Sequence, residues 1–372
     1  MKYPIVILGG GLAGLALSID LKRNGFSVLV IEKGNYPRHK VCGEYISMES
    51  HDYLVGLCPE LKKYALPQIQ HFRLTSTEGS EINLCLDLGG FGISRYLLED
   101  LLYRQAISAG VEVLTETRAL AVNIDENKKS FQVTLDADII KASMVCNATG
   151  KKSNFEAKLN SHPHNTTNYI GVKYHVRLKR EPGVIEIHNF NGGYCGISDI
   201  ENNKSCLCYM VNSDLLKKHF NSIPEMEQRE LYTNPNLAAI FEKAEFLSKI
   251  PLTISGINFR IKKPVSDGVF YLGDAAGSLA PITGNGMSMA LRSAAILTKH
   301  ISEKKSFEFP FREVEQDYTR FWNQEFSTRI KFSRHIQKLA EFSSLTNLSI
   351  ACMKLFPGIA QKLVRSTHGT PF

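Results

Sequence analysis

The chain has 372 residues, of which 43% are apolar and 22% charged. That balance excludes disorder, collagen-like repeats and coiled coil as the main state, and the length suits two or three domains. Basic residues exceed acidic ones by only 7, and the eight cysteines are scattered without a C-x-x-C pair. A nucleic-acid partner, a disulfide scaffold and a structural zinc are therefore not expected.

Met1 to Pro4 leads into the apolar run Ile5 to Leu8 with no small-residue cleavage site. No uncharged apolar run approaches the roughly 18–20 residues needed to span a bilayer. A cytoplasmic enzyme or binding protein with reduced thiols is the expectation.

Tyr3 to Leu8 reads as a short buried strand running into Gly9-Gly10-Gly11-Leu12-Ala13-Gly14. A helix follows, with Leu12, Leu15, Ile19 and Leu21 on one face and Asn24-Gly25 as its stop. A second buried strand, Ser27 to Ile31, ends in Glu32-Lys33. Gly9 permits a tight turn, Gly11 lets a pyrophosphate approach the backbone, and Gly14 lets helix and strand pack closely. The N–H groups at Leu12 and Ala13 open the helix where an anion is favoured. Glu32, eighteen positions after Gly14, suits ribose hydroxyls and argues against a 2′-phosphate. A lone G-x-G-x-x-G is weak, but strand, glycines, helix, strand and terminal acid in order is strong.

Some 260 residues later a further buried strand, Gly268 to Leu272, ends in Gly273-Asp274-Ala275-Ala276-Gly277. Pro281-Ile282-Thr283-Gly284-Asn285-Gly286-Met287 follows, then a helix from Ser288 to Thr298. Asp274 can accept from polyol hydroxyls, and Gly284 and Gly286 bring a second helix start against a ligand. NAD needs no second site of this kind; FAD does.

These two segments resemble the FAD-dependent oxidoreductases of the para-hydroxybenzoate hydroxylase fold, a group that includes aromatic hydroxylases, flavin halogenases and geranylgeranyl reductases. The resemblance implies that Asp274 binds the ribitol and that Pro281, Gly284, Asn285, Gly286 and Met287 lie by the isoalloxazine. It also implies an Arg-containing helix from Arg95 to about Ala109 on the flavin side, and a closing strand, Met144 to Thr149, ending at Gly150. Lys33 is a further cofactor candidate; His39, Lys40 and Arg38 either meet the FAD phosphates or are solvated. A cation at a helix start opposes the dipole, so Arg95 needs a further reason to be there.

Two departures narrow the group. Thr149-Gly150 replaces the hydroxylases' Asp-Gly, and a single tryptophan, Trp322, cannot make the halogenases' Trp-x-Trp-x-x-Pro. Pro37-Arg38-His39-Lys40-Val41-Cys42-Gly43-Glu44 is most similar to the geranylgeranyl reductases, where the Cys-Gly lies near flavin and substrate. Cys42 and Glu44 are the candidate catalytic residues, as proton donors after hydride transfer; the alternative makes Cys42 a buried filler and Glu44 a helix-start acid. No histidine pairing suggests a metal.

Gln70 to Leu86 reads as a hairpin about Glu78-Gly79. Tyr169–Val176, Val184–Phe190, Tyr194–Ile197 and Ser205–Val211 read as four strands of a mostly antiparallel sheet over a substrate cavity. Asp214 to Lys249 reads as helical with a break near Thr233 to Asn236, and Arg312 to Phe342 as one long amphipathic helix. The expected class is α/β. It has a discontinuous Rossmann-like FAD-binding domain (1–68, 91–165, 262–300), an inserted sheet domain (69–90, 166–261) and a C-terminal helical region (301–372). The last stretch, from Ser327, carries seven basic residues against Glu341 alone, among several large apolar ones. It either rests on an anionic membrane or caps the cavity. The expected function is FAD-dependent hydroxylation or C=C reduction of a small hydrophobic substrate, with NAD(P)H or a partner reductase as donor; the alternative is a flavin-binding scaffold without turnover.

Overall fold

The computed structural model describes residues 2–125, 130–151, 168–257, 262–303, 311–340 and 342–372. The chain opens with β1 (Lys2–Leu8), α1 (Leu12–Arg23) and β2 (Val28–Ile31), followed by β3 (Tyr45–Ser47) and α2 (His51–Leu57). The hairpin β4 (Gln68–Thr75) and β5 (Glu81–Gly92) leads to α3 (Arg95–Ser108). Four strands follow: β6 (Glu112–Leu114), β7 (Ala119–Asp125), β8 (Ser130–Leu135) and β9 (Ile139–Asn147). A meander comes next: β10 (Tyr169–Arg177), β11 (Val184–Phe190), β12 (Gly193–Ile200) and β13 (Lys204–Asn212). It leads into α4 (Ser213–Lys218), α5 (Ile223–Glu230), α6 (Pro235–Lys243), β14 (Glu245–Phe246) and β15 (Leu252–Ile257). The chain then returns through β16 (Val265–Ser266), β17 (Val269–Tyr271) and α7 (Gly286–Ser302), and ends in α8 (Arg312–Ala340), α9 (Ser343–Leu355) and α10 (Pro357–Thr367).

Two sheets organise these elements. The first has a parallel centre, β17-β9-β1-β2-β6, extended antiparallel by β16 and by the β7–β8 hairpin on β9. Pairing β17 beside β9 brings residues 269–271 into the sheet begun by residue 2. The second runs β14-β10-β13-β12-β11-β4-β5-β3, with β15 also on β10; its β4–β11 pair is parallel. Tyr45–Ser47, early in the chain, pairs with Gly90–Gly92 of this second sheet, so β3 ties the segment that follows β2 to it.

Burial shows why the first unit holds. Ile5 to Leu8 and Val28 to Ile31 are at most 2% exposed, as continuous apolar runs in a covered parallel sheet require. The single-face reading of α1 is too narrow. Leu12 to Ile19 and Leu21 are all buried, because the helix lies between its sheet, α3 and α7.

Three local readings need correction. The helical stretch from Asp214 stops at Lys243, and Glu245–Phe246 pairs antiparallel with Val176–Arg177. A second break falls at Phe220 and Asn221, which take φ of 52° and 60° before Ser222 caps α5 by accepting from Glu225 N. The long helix from Arg312 ends at Ala340, and Phe342 caps the next.

Candidate functional site

The glycine turn is shaped by close backbone approach. Gly9 has φ +98° and donates to Ile31 O at 2.8 Å. A Cβ on Gly14 would overlap the Gly9 carbonyl, so α1 can lie against β1 only without a side chain there. Gly11 differs: a Cβ there would meet only Lys40 Nζ at 3.4 Å, Arg95 Nη2 at 3.9 Å and Glu99 Oε1 at 4.0 Å. The space before Gly11 is thus bounded by the ends of charged side chains. Gly11 caps α1 without a side-chain bond, and no acid sits in its first turn, which leaves an N-terminus suited to an anion.

The distant segment reaches the same place. Gly273 lies between α1 and α7; a Cβ on it would be 3.3 Å from Ala290 and 3.5 Å from Ala13. Asp274, half-buried, accepts from Ser278 Oγ at 2.8 Å. Asn285 precedes α7, which has neither a side-chain cap nor an acid in its first turn. Asn285 Nδ2 donates to Thr367 O at 2.5 Å, while its buried Oδ1 has no partner among the described residues. Met287 is buried and Pro281 opens the preceding short turn.

A charge network covers the glycine turn. The Glu32 carboxylate accepts from Gly10 N at 2.7 Å and Gly34 N at 2.9 Å, and pairs with Arg38 at 2.6 Å. Burial alone would raise the Glu32 carboxyl, but the Arg38 hydrogen bond and charge outweigh it and hold the group below its usual range. Arg38 also reaches Glu99 at 3.3 Å and Gly10 O at 3.2 Å. Glu99 is fully buried and shared by Arg38, Lys40 at 3.2 Å and Arg95. Sequence reasoning missed Glu99; its signal was the i,i+4 spacing from Arg95 on one helix. Lys33 is exposed. Gly150, at φ +78°, follows a turn in which Thr149 N and Oγ1 both donate to Asn147 Oδ1, at 3.1 and 2.7 Å.

Glu44 is fully buried, with φ +55°, a conformation that persists in a non-glycine residue only when its surroundings hold it. Its carboxylate accepts from Lys173 Nζ, meets His175 Nε2 at 2.6 Å, and accepts the N–H of Arg95 at 2.8 Å. It therefore does sit at a helix start, that of α3, and offsets the cation there. Cys42 is half-buried beside the Arg95 guanidinium, and Cys206 Sγ donates to its carbonyl at 3.1 Å. Ligating atoms of Glu44, His175 and Cys206 lie within 4.8 Å of one another. The Lys173 ammonium already supplies the positive charge there, so the cluster is built as an ion-pair network.

A cavity of about 430 Å³ is lined in part by Tyr45 of β3. Its walls come from the second sheet (Phe72, Ile185), the loop Ile282–Gly284 and helices α8 to α10 (Phe332, Ile350, Leu363), with Tyr45 and His368 at its edge. Cys42 and Glu44 do not line it.

Residues 2–305 match the FAD binding domain family, FAD_binding_3. The chain belongs to that family. It is 24% identical over 380 residues to digeranylgeranylglycerophospholipid reductase of Methanocaldococcus jannaschii, covering 91% of this chain and 88% of that one. It is 22% identical over 364 residues to conditioned medium factor receptor 1 of Dictyostelium discoideum, covering 89% and 69%. The flavin-dependent brominase Bmp2 has a similar fold, with TM-score 0.75 at 19% identity over 99% of this chain and 93% of that one. The protein is an FAD-dependent oxidoreductase with the Rossmann-like α/β architecture, a second sheet and C-terminal helices.

The side chains present fit FAD. Two uncapped helix N-termini converge at Gly273, and Arg38, Lys40 and Arg95 outnumber the two carboxylates they share, Glu99 and Glu32, a charge balance suited to a pyrophosphate. The buried Asn285 Oδ1 has no hydrogen-bond partner among the described residues and lies in the same region, and such an atom is costly unless something completes it. Glu32 and Asp274 are carboxylates of the kind that ribose and polyol hydroxyls would need as acceptors. Among the described residues no helix is long and apolar enough to cross a membrane.

Proposed function

We propose that this flavoprotein reduces carbon–carbon double bonds in a long apolar chain of polyprenyl type. The observation that carries the reading is the cavity. It is lined almost throughout by aliphatic and aromatic side chains, and it touches the Ile282–Gly284 loop that precedes the cofactor-side helix α7. Bound FAD supplies the hydride. The protein's own part is to bury the chain, exclude water and present one double bond at the loop. The similarity to a digeranylgeranylglycerophospholipid reductase supports this class of substrate. The test is anaerobic: dithionite-reduced holoprotein mixed with geranylgeraniol. The expected result is return of the oxidised flavin spectrum with a product two hydrogens heavier. A product formed only with oxygen, and carrying one oxygen atom, would replace reduction with monooxygenation.

The C-terminal helices bear on how such a chain arrives. They line the cavity, yet Leu348, Leu355, Phe356 and Ile359 are each more than half exposed. Phe356 and Ile359 also border the cavity and mark its mouth. With Lys338, Lys362 and Arg365 exposed on the same segment, this face suits an anionic lipid surface. Sedimentation with phosphatidylglycerol vesicles is expected, weaker at high salt, and lost in Leu348→Glu/Leu355→Glu. Equal sedimentation of that variant would overturn the membrane contact.

A further inference from the structure

Neither cysteine nor carboxylate reaches the cavity from the Cys42–Glu44 segment, so alkene reduction needs its proton from elsewhere. The next residue supplies a candidate. Tyr45 borders the cavity and is 5% exposed. Its ring lies against the loop before α7, since a Cβ on Gly284 would be 3.3 Å from Tyr45 Cδ1. Its hydroxyl is 3.2 Å from His368 Nε2 and 3.3 Å from Gly89 O. His368 borders the same cavity.

The imidazole is held in one orientation. His368 Nδ1 faces Val364 O at 3.1 Å, which can only accept, and Thr367 Oγ1 at 3.0 Å, whose own hydrogen goes to Val364 O at 2.7 Å. Nδ1 therefore carries the hydrogen, and Nε2 is the atom that exchanges a proton with Tyr45. The surrounding segment is strapped down. Thr367 O accepts from Asn285 Nδ2 at 2.5 Å and Arg329 Nη2 at 3.3 Å, Gly369 N donates to the buried Glu49, and Phe372 N donates to Glu49 O at 3.1 Å. These contacts fix His368 against Tyr45, and Asn285 is tied to the carbonyl of the preceding residue, Thr367.

We infer that Tyr45 is the catalytic acid of this cavity and His368 the group that returns its proton. The inference rests on the reading of the cavity as an alkene-reduction site. In the balanced step, one alkene carbon receives a hydride from two-electron-reduced FAD. The other receives the Tyr45 phenolic proton, the phenolate takes the Nε2 proton of protonated His368, and His368 regains one from water. The net change is alkene plus reduced FAD and a proton to alkane plus oxidised FAD. The charged and titratable groups facing His368 are Tyr45 from β3, Glu49 beside it, Asp87 from β5 and Arg329 from α8. Burial outweighs the acids and pushes the imidazole below its ordinary value. Reduction therefore rises as pH falls toward that value.

The test compares wild type, Tyr45→Phe and His368→Gln as holoproteins. Single-turnover alkene reduction is expected to fall about 10²–10⁴-fold in Tyr45→Phe, with FAD content and binding of the saturated chain, read by intrinsic fluorescence, unchanged. In His368→Gln the rate is expected to fall and to lose its rise at low pH. Imidazole NMR gives a readout without turnover: wild type should show the Nδ1–H form, with the His368 titration displaced in Tyr45→Phe. Unchanged reduction in Tyr45→Phe would overturn the assignment. Absence of reduction in wild type would instead remove the functional reading, while an Nε2–H tautomer would overturn the pair by itself.

Discussion

Gly11→Val is expected to purify as a folded, colourless protein. The reason lies in what surrounds the residue: the atoms near a Gly11 side chain are Lys40 Nζ, Arg95 Nη2 and Glu99 Oε1, and none is backbone. Valine there displaces flexible ends and leaves β1 and α1 packed, but occupies the approach of a pyrophosphate to the N-terminus of α1. Loss of FAD removes the stabilisation that ligand binding confers, about 2.7 kcal/mol at a free cofactor concentration 100 times Kd. Added FAD should thus raise the melting temperature of wild type and leave that of Gly11→Val unmoved. Gly14→Ala is the informative contrast, because its Cβ would overlap Gly9 O and the damage falls on the fold itself. Asp274→Ala should weaken FAD without abolishing folding, since the Asp274 carboxylate bonds locally to Ser278. Full flavin absorbance in both Gly11→Val and Asp274→Ala would refute the cofactor assignment.

The asymmetry between those glycines shows what was legible from residue order. Glycine spacing reports backbone geometry, which is local, so the turn at Gly9 to Gly14 and the acid at Glu32 could be read directly. The joining of residues 269–271 to the first sheet was legible for a chemical reason: Gly273-Asp274 and the second glycine pair serve a ligand too long for one βαβ unit. The strands of the second sheet's meander were readable as runs bounded by Gly, Pro and Asn turns, with Val184–Phe190 placed as expected. Long-range electrostatics were not. The i,i+4 spacing signals Arg95 with Glu99, but nothing in the order of residues says that Arg38 and Lys40 join them, or that Lys173 and His175 from β10 reach Glu44. The pairing of Tyr45 with His368 spans 323 positions and depends on α10 folding back over β5, an outcome of packing with no local signature.

Glu44→Gln is expected to cost about 3–5 kcal/mol, the usual effect of breaking a buried ion pair from one side. Glu44 is fully buried and Lys173 is 3% exposed, so the variant leaves an ammonium with no counter-charge and little water. The glutamine keeps the shape and one acceptor, which isolates the charge as the missing element. Its sign with pH follows from the folded carboxyl. Burial pushes that group up, but the His175 hydrogen bond and the Lys173 charge outweigh burial and hold it below the ordinary value of 4.5. A depressed carboxyl stabilises the fold above its unfolded pKa, and that contribution is lost as pH falls through the folded one. The gap between wild type and Glu44→Gln should therefore be full at neutral pH and close in strong acid. Adding Lys173→Met removes the orphaned charge, and most of the stability should return, a coupling read as non-additivity in urea unfolding. The double variant also separates the two roles open to Glu44. Restored stability with near-normal turnover makes it a counter-charge for Lys173 alone; restored stability with turnover still lost makes it a positioning residue whose bonds to His175 and Arg95 N hold the start of α3.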